Sequence, residues 1–269
     1  MLESEFKVVK HKKNKRDQRC TTISDLKSDP LTAGVVSYSD IEHRFRAIRN
    51  EPSVIDIAES IAGELRCWRP GECHKLKIVC YGLGQFVTCI TARYQLMVLY
   101  LITEKLQIPK SNCVCFDPMF TSNELNILKE IEFSIEDKNE EGKHLVSGPT
   151  VFYMPHCGKA LYNNLLWANW SREKLQEISI IGNSFSEMKS RLLDKVMETQ
   201  YKYINNILPR LCEHPISVSA DIESMFCNTS IQTFSVSSED INEQFWNNCD
   251  IPVYEDDVEI IRCKDTSRQ

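Results

Sequence analysis

No stretch of this 269-residue chain approaches 18 uninterrupted apolar residues, so no membrane-spanning helix is expected. The opening "MLESEFKVVKHKKNKRDQR" lacks the apolar h-region of a secretory signal. Both absences point to a soluble chain in the cytoplasm. The 12 cysteines include no C-x-x-C pair, which removes the commonest zinc and redox spacings. Cys67, Cys73 and His74 match no common metal site either, and no second ligand pair is evident, so no metal is expected. Cys80, Cys89, Cys113 and Cys115 sit in apolar runs, where a free thiol behaves as a small hydrophobe. The Asn169 and Asn228 sequons carry no weight in a chain that is not secreted. There is no internal repeat.

What is present is a chain that is 42% hydrophobic, with a net charge of −6 unevenly spread. Residues 1–19 hold seven lysines and arginines against three acids, leaving about −10 for the rest. The basic stretch reads as a solvated arm, or as a weak nuclear-localisation or RNA-contacting segment. The acidic body is a poor match for a phosphate backbone. The division expected is a flexible basic segment over 1–40, one α/β domain over 41–240 and an acidic tail over 241–269.

Two helical stretches over 39–65 meet at Pro52, and short apolar strands then alternate with helices. Strands are expected at 77–81, 112–116, 133–135, 150–154 and 178–181. Helices are expected from about 85 to 105, 123–131, 158–170 and from 188 until just before Pro209. A last strand pair falls near 216–218 and 231–236. The alternation predicts a doubly wound, mostly parallel sheet with helices on both faces, Rossmann-like and methyltransferase-like.

Ligands of such sheets bind beyond the carboxyl ends of the strands. Four predicted strands end in small or polar clusters: Gly82-Leu83-Gly84-Gln85, Asp117-Pro118, His156-Cys157-Gly158-Lys159 and Gly182-Asn183-Ser184. Gly82 and Gly84 allow positive φ and close approach of the backbone, and a following helix N-terminus would offer N–H groups to an anion. Val87 stands where G-x-G-x-x-G needs its third glycine, so the fingerprint is partial. Asp117, 35 residues beyond Gly82, is placed to accept from a ribose diol. Each cluster taken singly also reads as an ordinary turn. His156 is a candidate general base or a structural residue, and Cys157 beside it should point the other way and be buried. Lys159 at a helix start hints at an anionic contact.

The peptides "CYGLGQF", "ARYQL", "FDPMF", "NEEGKH", "TVFYMPHCGKALYNNLLWANW" and "IIGNSF" closely resemble the sensitivity-to-red-light-reduced family. The resemblance covers roughly residues 76 to 190, with an outlying piece at "MFCNTSIQTF" and a similar basic lead-in. It implies a cytoplasmic and also nuclear protein that regulates circadian-clock input, with a link to heme-synthesis regulation. It brings no established reaction and no catalytic residues. The family pattern would read "FNDTS" where this chain has Phe226-Cys227-Asn228-Thr229-Ser230, so an acidic residue is lost there.

Three functions follow. One is a regulator binding protein partners through a scaffold surface. Another is a nucleotide-type ligand binder or S-adenosylmethionine-dependent methyltransferase using the Gly82–Asp117 cleft, with His156, Gly182, Asn183 and Ser184 along the same edge. The third is heme handling, with His156 and Cys157 as axial ligands.

Overall fold

The computed structural model describes residues 38–236, 243–247, 249–254 and 260–261. The predicted basic segment lies almost entirely outside the described residues, as does much of the predicted acidic tail.

Seven strands form one sheet in the order β3-β2-β1-β4-β5-β7-β6. The strands are β1 (Lys77–Tyr81), β2 (Cys113–Phe116), β3 (Ser134–Ile135), β4 (Thr150–Met154), β5 (Ile178–Asn183), β6 (Leu211–Pro215) and β7 (Thr229–Phe234). The first five pair in parallel, whereas β7 runs antiparallel between β5 and β6. The expected doubly wound α/β sheet is therefore present, with a reversed strand near one edge. The chain returns from β3 at one side to β4 beside β1, which makes the β1/β4 boundary the topological switch point.

Alternation along the strands divides the core in two. Ile78, Cys80, Val151 and Tyr153 pack on one face under α1 (Tyr38–Arg49), α2 (Pro52–Trp68), α3 (Ile90–Lys105) and α4 (Ser122–Glu130). Val79, Tyr81, Phe152 and Met154 pack on the other, against α5 (Lys159–Ala168), α6 (Arg172–Gln176), α7 (Phe185–Arg191), α8 (Asp194–Thr199) and α9 (Lys202–Ile207). Helix α10 (Glu223–Phe226) adds Met225 and Phe226 to the first face. Such two-sided burial explains why the central strands read as near-continuous apolar runs. Among the described residues no helix is long and apolar enough to cross a membrane.

Three expectations are corrected. The helix after β1 begins at Ile90, not near Gln85, because residues 86–88 form a turn. The single helix expected from 188 to 209 is three short ones, interrupted where Leu192 and Leu193 become extended. Asn163, buried in α5, accepts from the Tyr203 and Ile204 N–H groups at 3.0 and 3.3 Å and so caps α9 from outside. The penultimate strand is 211–215, not 216–218. Its sequence, Leu-Cys-Glu-His-Pro, lacks apolar alternation because it is an edge strand, blunted by charge and proline.

The tail is not wholly detached. Helix α11 (Glu243–Asn247) places Phe245 and Trp246 against Trp170, whose indole donates to the Phe245 carbonyl at 3.0 Å. Tyr254 anchors the next segment by accepting from Asn163 at 2.8 Å and donating to Asn164 at 2.9 Å.

Candidate functional site

At the carboxyl end of β1 the chain turns through Gly82 and Gly84, with φ of +69° and +76°. Both values lie in the left-handed region, which glycine enters without a Cβ penalty. The Asp117 carboxylate at the end of β2 accepts from the Gly84 N–H and the Met119 N–H, each at 2.7 Å. Gln85 donates to the Met119 carbonyl at 3.2 Å, a second tie between the same loops. From below, buried Arg93 donates to the Phe86 and Val87 carbonyls. Buried Glu124 accepts from the Val87 N–H while closing the capping box at Thr121. The glycine turn is thus held rigid from two sides. With α3 starting only at Ile90, the turn does not lead straight into a helix N-terminus, and the anion site expected there is not formed in that way.

Above this turn lies a cleft of about 250 Å³, with Gly82, Phe116, Asp117, Met119, His156 and Leu161 in its walls. Ile261 reaches the same cleft, where its carbonyl accepts from Asn139 at 2.7 Å. The cleft therefore spans the ends of β1, β2 and β4, at the switch point.

The fourth predicted cluster does different work. Gly182 faces the Tyr162 ring so closely that an added Cβ would sit 2.5 Å from its hydroxyl. That hydroxyl donates to the Met154 carbonyl and accepts from the Asn183 N–H. The Asn183 side chain accepts from the His156 N–H and donates to the Cys157 carbonyl, both at 2.9 Å. Ser184 caps α7 by accepting from the Glu187 N–H. Gly182 and Asn183 thus hold the His156 turn in place and Ser184 starts α7, and none of the three lines the cleft.

His156 has φ +59°, which is uncommon for a residue with a Cβ and marks local strain. Burial of its ring holds its pKa below the ordinary imidazole value, partly offset by a hydrogen bond to the Cys227 backbone. Cys157 points the opposite way, as expected from strand geometry. Its thiol is buried and donates to the Tyr81 carbonyl at 3.2 Å, and burial, with the Asp117 charge, pushes its pKa up. Because this thiol is tied to the Tyr81 carbonyl and turned away from the imidazole, the His156–Cys157 pair does not fit axial ligation of one heme, although both residues border the cleft. The Lys159 ammonium lies 5.9 Å from the Tyr201 ring centroid. Among the described residues there is no group of three or more metal-ligating side chains.

Sequence reasoning missed a polar network beside the cleft, because "NEEGKH" entered only as a peptide of the family resemblance. Tyr81 and His144 both bond to the Glu140 carboxylate, each at 2.7 Å, and Lys77 approaches the other His144 nitrogen at 3.3 Å. Gly142 (φ +78°) lets that loop press on α5, since a Cβ there would meet the Leu161 carbonyl at 2.7 Å. A glycine set among acids and a histidine was the available signal. Burial raises the Glu140 pKa, but the bonds from Tyr81 and His144 outweigh it and the net shift is downward. A depressed folded-state pKa means the stabilisation is present above the unfolded value of about 4.3 and is lost as pH falls through the folded one. Glu140→Gln should therefore flatten the decline of stability with pH below about 4.3, measured by urea unfolding at stepped pH. An unchanged slope would remove Glu140 from the acid response.

Residues 57–249 match the SRR1 domain. A mouse SRR1-like protein is 50% identical over 137 residues, covering 51% of this chain and 55% of that protein. A Drosophila SRR1-like protein is 31% identical over 193 residues, covering 71% of this chain and 67% of that protein. The Arabidopsis Protein SENSITIVITY TO RED LIGHT REDUCED 1 is 35% identical over 111 residues, 41% of this chain and 40% of that protein. The chain thus spans about half the length of the mouse relative it matches. No solved structure matches.

Proposed function

This chain belongs to the SRR1 domain family, and on that premise we propose that it is a regulatory protein whose switch-point cleft takes a nucleotide-type ligand. S-adenosylmethionine is the first candidate. The carrying observation is the cleft itself, walled by a left-handed Gly-Leu-Gly turn after β1 and an acid after β2. Nucleoside ligands of doubly wound sheets are held at this position. Phe116, Met119 and Leu161 offer an apolar surface for a base, and Asp117 keeps lone pairs beyond the two bonds it accepts. At about 250 Å³ the cleft suits the nucleoside part of such a ligand more than a whole dinucleotide.

Methyl transfer is the second reading, favoured by the reversed β7 between β5 and β6, the layout of methyltransferase-like sheets. A methyltransferase works chiefly by holding donor and acceptor in line, so it needs no prominent catalytic motif. His156 would then stand on the acceptor side of the cleft. The wider role proposed is regulation of light or circadian-clock input through protein partners, and of heme synthesis, in the cytoplasm and the nucleus. The Arabidopsis relative's name, with its sensitivity to red light, supports the light-input part.

Isothermal titration with S-adenosylmethionine, with NAD as comparison, tests the cleft. Saturable micromolar binding is expected, and Leu161→Trp, which fills the cleft from α5, should weaken it at least about tenfold. Folded protein that gives no heat with either ligand, or binding indifferent to Leu161→Trp, would count against this reading.

A further inference from the structure

Beside the cleft, the exposed side of His156 meets a residue that carried no weight in the sequence. His156 Nε2 lies 3.7 Å from the Cys227 sulfur. We propose that Cys227 and His156 form a thiol–imidazole site at the rim of the cleft, where Cys227 exchanges with small-molecule disulfides.

The ring is oriented for this. Gln95, buried in α3, donates to the Met225 carbonyl at 2.9 Å, which fixes its amide orientation. Its second N–H then faces His156 Nδ1 at 3.4 Å and makes that nitrogen the acceptor. The ring proton therefore sits on Nε2, the nitrogen turned toward Cys227; this tautomer is assigned from the network. That N–H also serves the Cys227 backbone, which anchors the ring on this residue, and an N–H shared with the adjacent sulfur favours the thiolate, the form that attacks.

Two further features set the place apart. His156 and Asn228 both hold positive φ, +59° and +56°, on either side of the Cys227 thiol. The Asn228 carbonyl and side chain are themselves engaged, by the Ser184 N–H at 2.8 Å and by Arg191 at 3.5 Å. The strained backbone is thus clamped by Ser184, just after β5, and by α7, and it keeps sulfur and imidazole facing each other. Cys80, Cys113, Cys115 and Cys157 are buried, whereas Cys227 is half-buried and therefore reachable. Cys67, Cys212 and Cys249 are exposed and serve as ordinary references.

In the exchange, the Cys227 thiolate attacks one sulfur of the disulfide. The bond between the two disulfide sulfurs breaks as the Cys227–sulfur bond forms. The departing thiolate takes up the proton that Cys227 released, so no net redox equivalent is needed beyond the disulfide. An adduct here would crowd His156 and with it one wall of the cleft. This site rests on the Cys227–His156 geometry and not on the identity of the cleft's ligand.

The test uses the full chain, native, at pH 7, with limiting iodoacetamide followed by peptide mapping. Cys227 should label at least about tenfold faster than Cys67 and Cys212, and His156→Phe should abolish most of that advantage. Treatment with glutathione disulfide should place a single glutathionyl group on the Cys227 peptide, absent in Cys227→Ser. Unlabelled Cys80 and Cys115 report that each variant is still folded. Wild-type labelling at Cys227 no faster than at Cys67 and Cys212 overturns the proposal without any variant. So does an unchanged Cys227 rate in folded His156→Phe.

Discussion

Asp117→Ala is expected to cost about 2–4 kcal/mol of folding stability, although the residue looks at first like a ligand contact. Its carboxylate accepts the Gly84 and Met119 N–H groups at 2.7 Å each, and hydrogen bonds to an ionised acceptor contribute about 1.5–3 kcal/mol apiece. Alanine leaves both donors without that acceptor, and water at the cleft can replace only part of it. Asp117→Asn retains one carbonyl oxygen, so it should recover part of the loss. Urea unfolding of the three proteins measures the differences. If alanine costs less than about 0.5 kcal/mol, Asp117 is free for a ligand and its ties to the loop are incidental. The alanine variant is accordingly a poor control for ligand binding, and Leu161→Trp is preferred because it blocks space and leaves the loop's bonds intact.

A larger loss, about 3–5 kcal/mol, is expected for Gly82→Val. A Cβ at Gly82 would collide with the Cys157 sulfur, and the residue sits at φ +69°. Left-handed backbone costs a side-chain-bearing residue about 1–2 kcal/mol, and forcing extra volume into a packed site about 1–3. The two contributions separate experimentally. Cys157→Ala removes the sulfur, so adding it to Gly82→Ala should return the steric part and leave only the backbone strain. A double-mutant cycle by chemical denaturation gives the coupling, and additive effects would mean that Gly82 and Cys157 do not collide. Because Gly82 lines the cleft and Cys157 is tied to the Tyr81 carbonyl, the same contact sets the depth of the cleft floor.

Much of the architecture was legible. The bounds of β1 and β4 are those read from apolar runs, and the proline at the head of α2 divides the first two helices as expected. The edge strand β6 was not legible, since partial exposure removes the hydrophobic alternation that marks a strand. The three helices over 185–207 read as one because Met188, Val196 and Ile204 keep a helical spacing across two interruptions. Of the eight residues expected at the ligand edge, Gly82, Asp117 and His156 line the cleft. Gly84 and Gln85 brace its floor, Gly182 and Asn183 support the turn that carries His156, and Ser184 caps α7. A small or polar residue after a strand signals the right edge of the sheet, but it cannot say which way its side chain is spent.

The sequence by itself determined the class of fold, because burial on two faces dictates apolar strands and helical periodicity in local runs. It also determined that polar and flexible residues gather at one edge, because parallel strands all end there. Only the tertiary structure decided what those residues touch. Asp117 meets Gly84 across 33 positions, Asn163 caps a helix 40 positions away, and His156 faces Cys227 rather than its neighbour Cys157. Each pairing depends on how strands order and helices cross. Local sequence does not carry that information, because these contacts are made only when distant segments bury their apolar faces together.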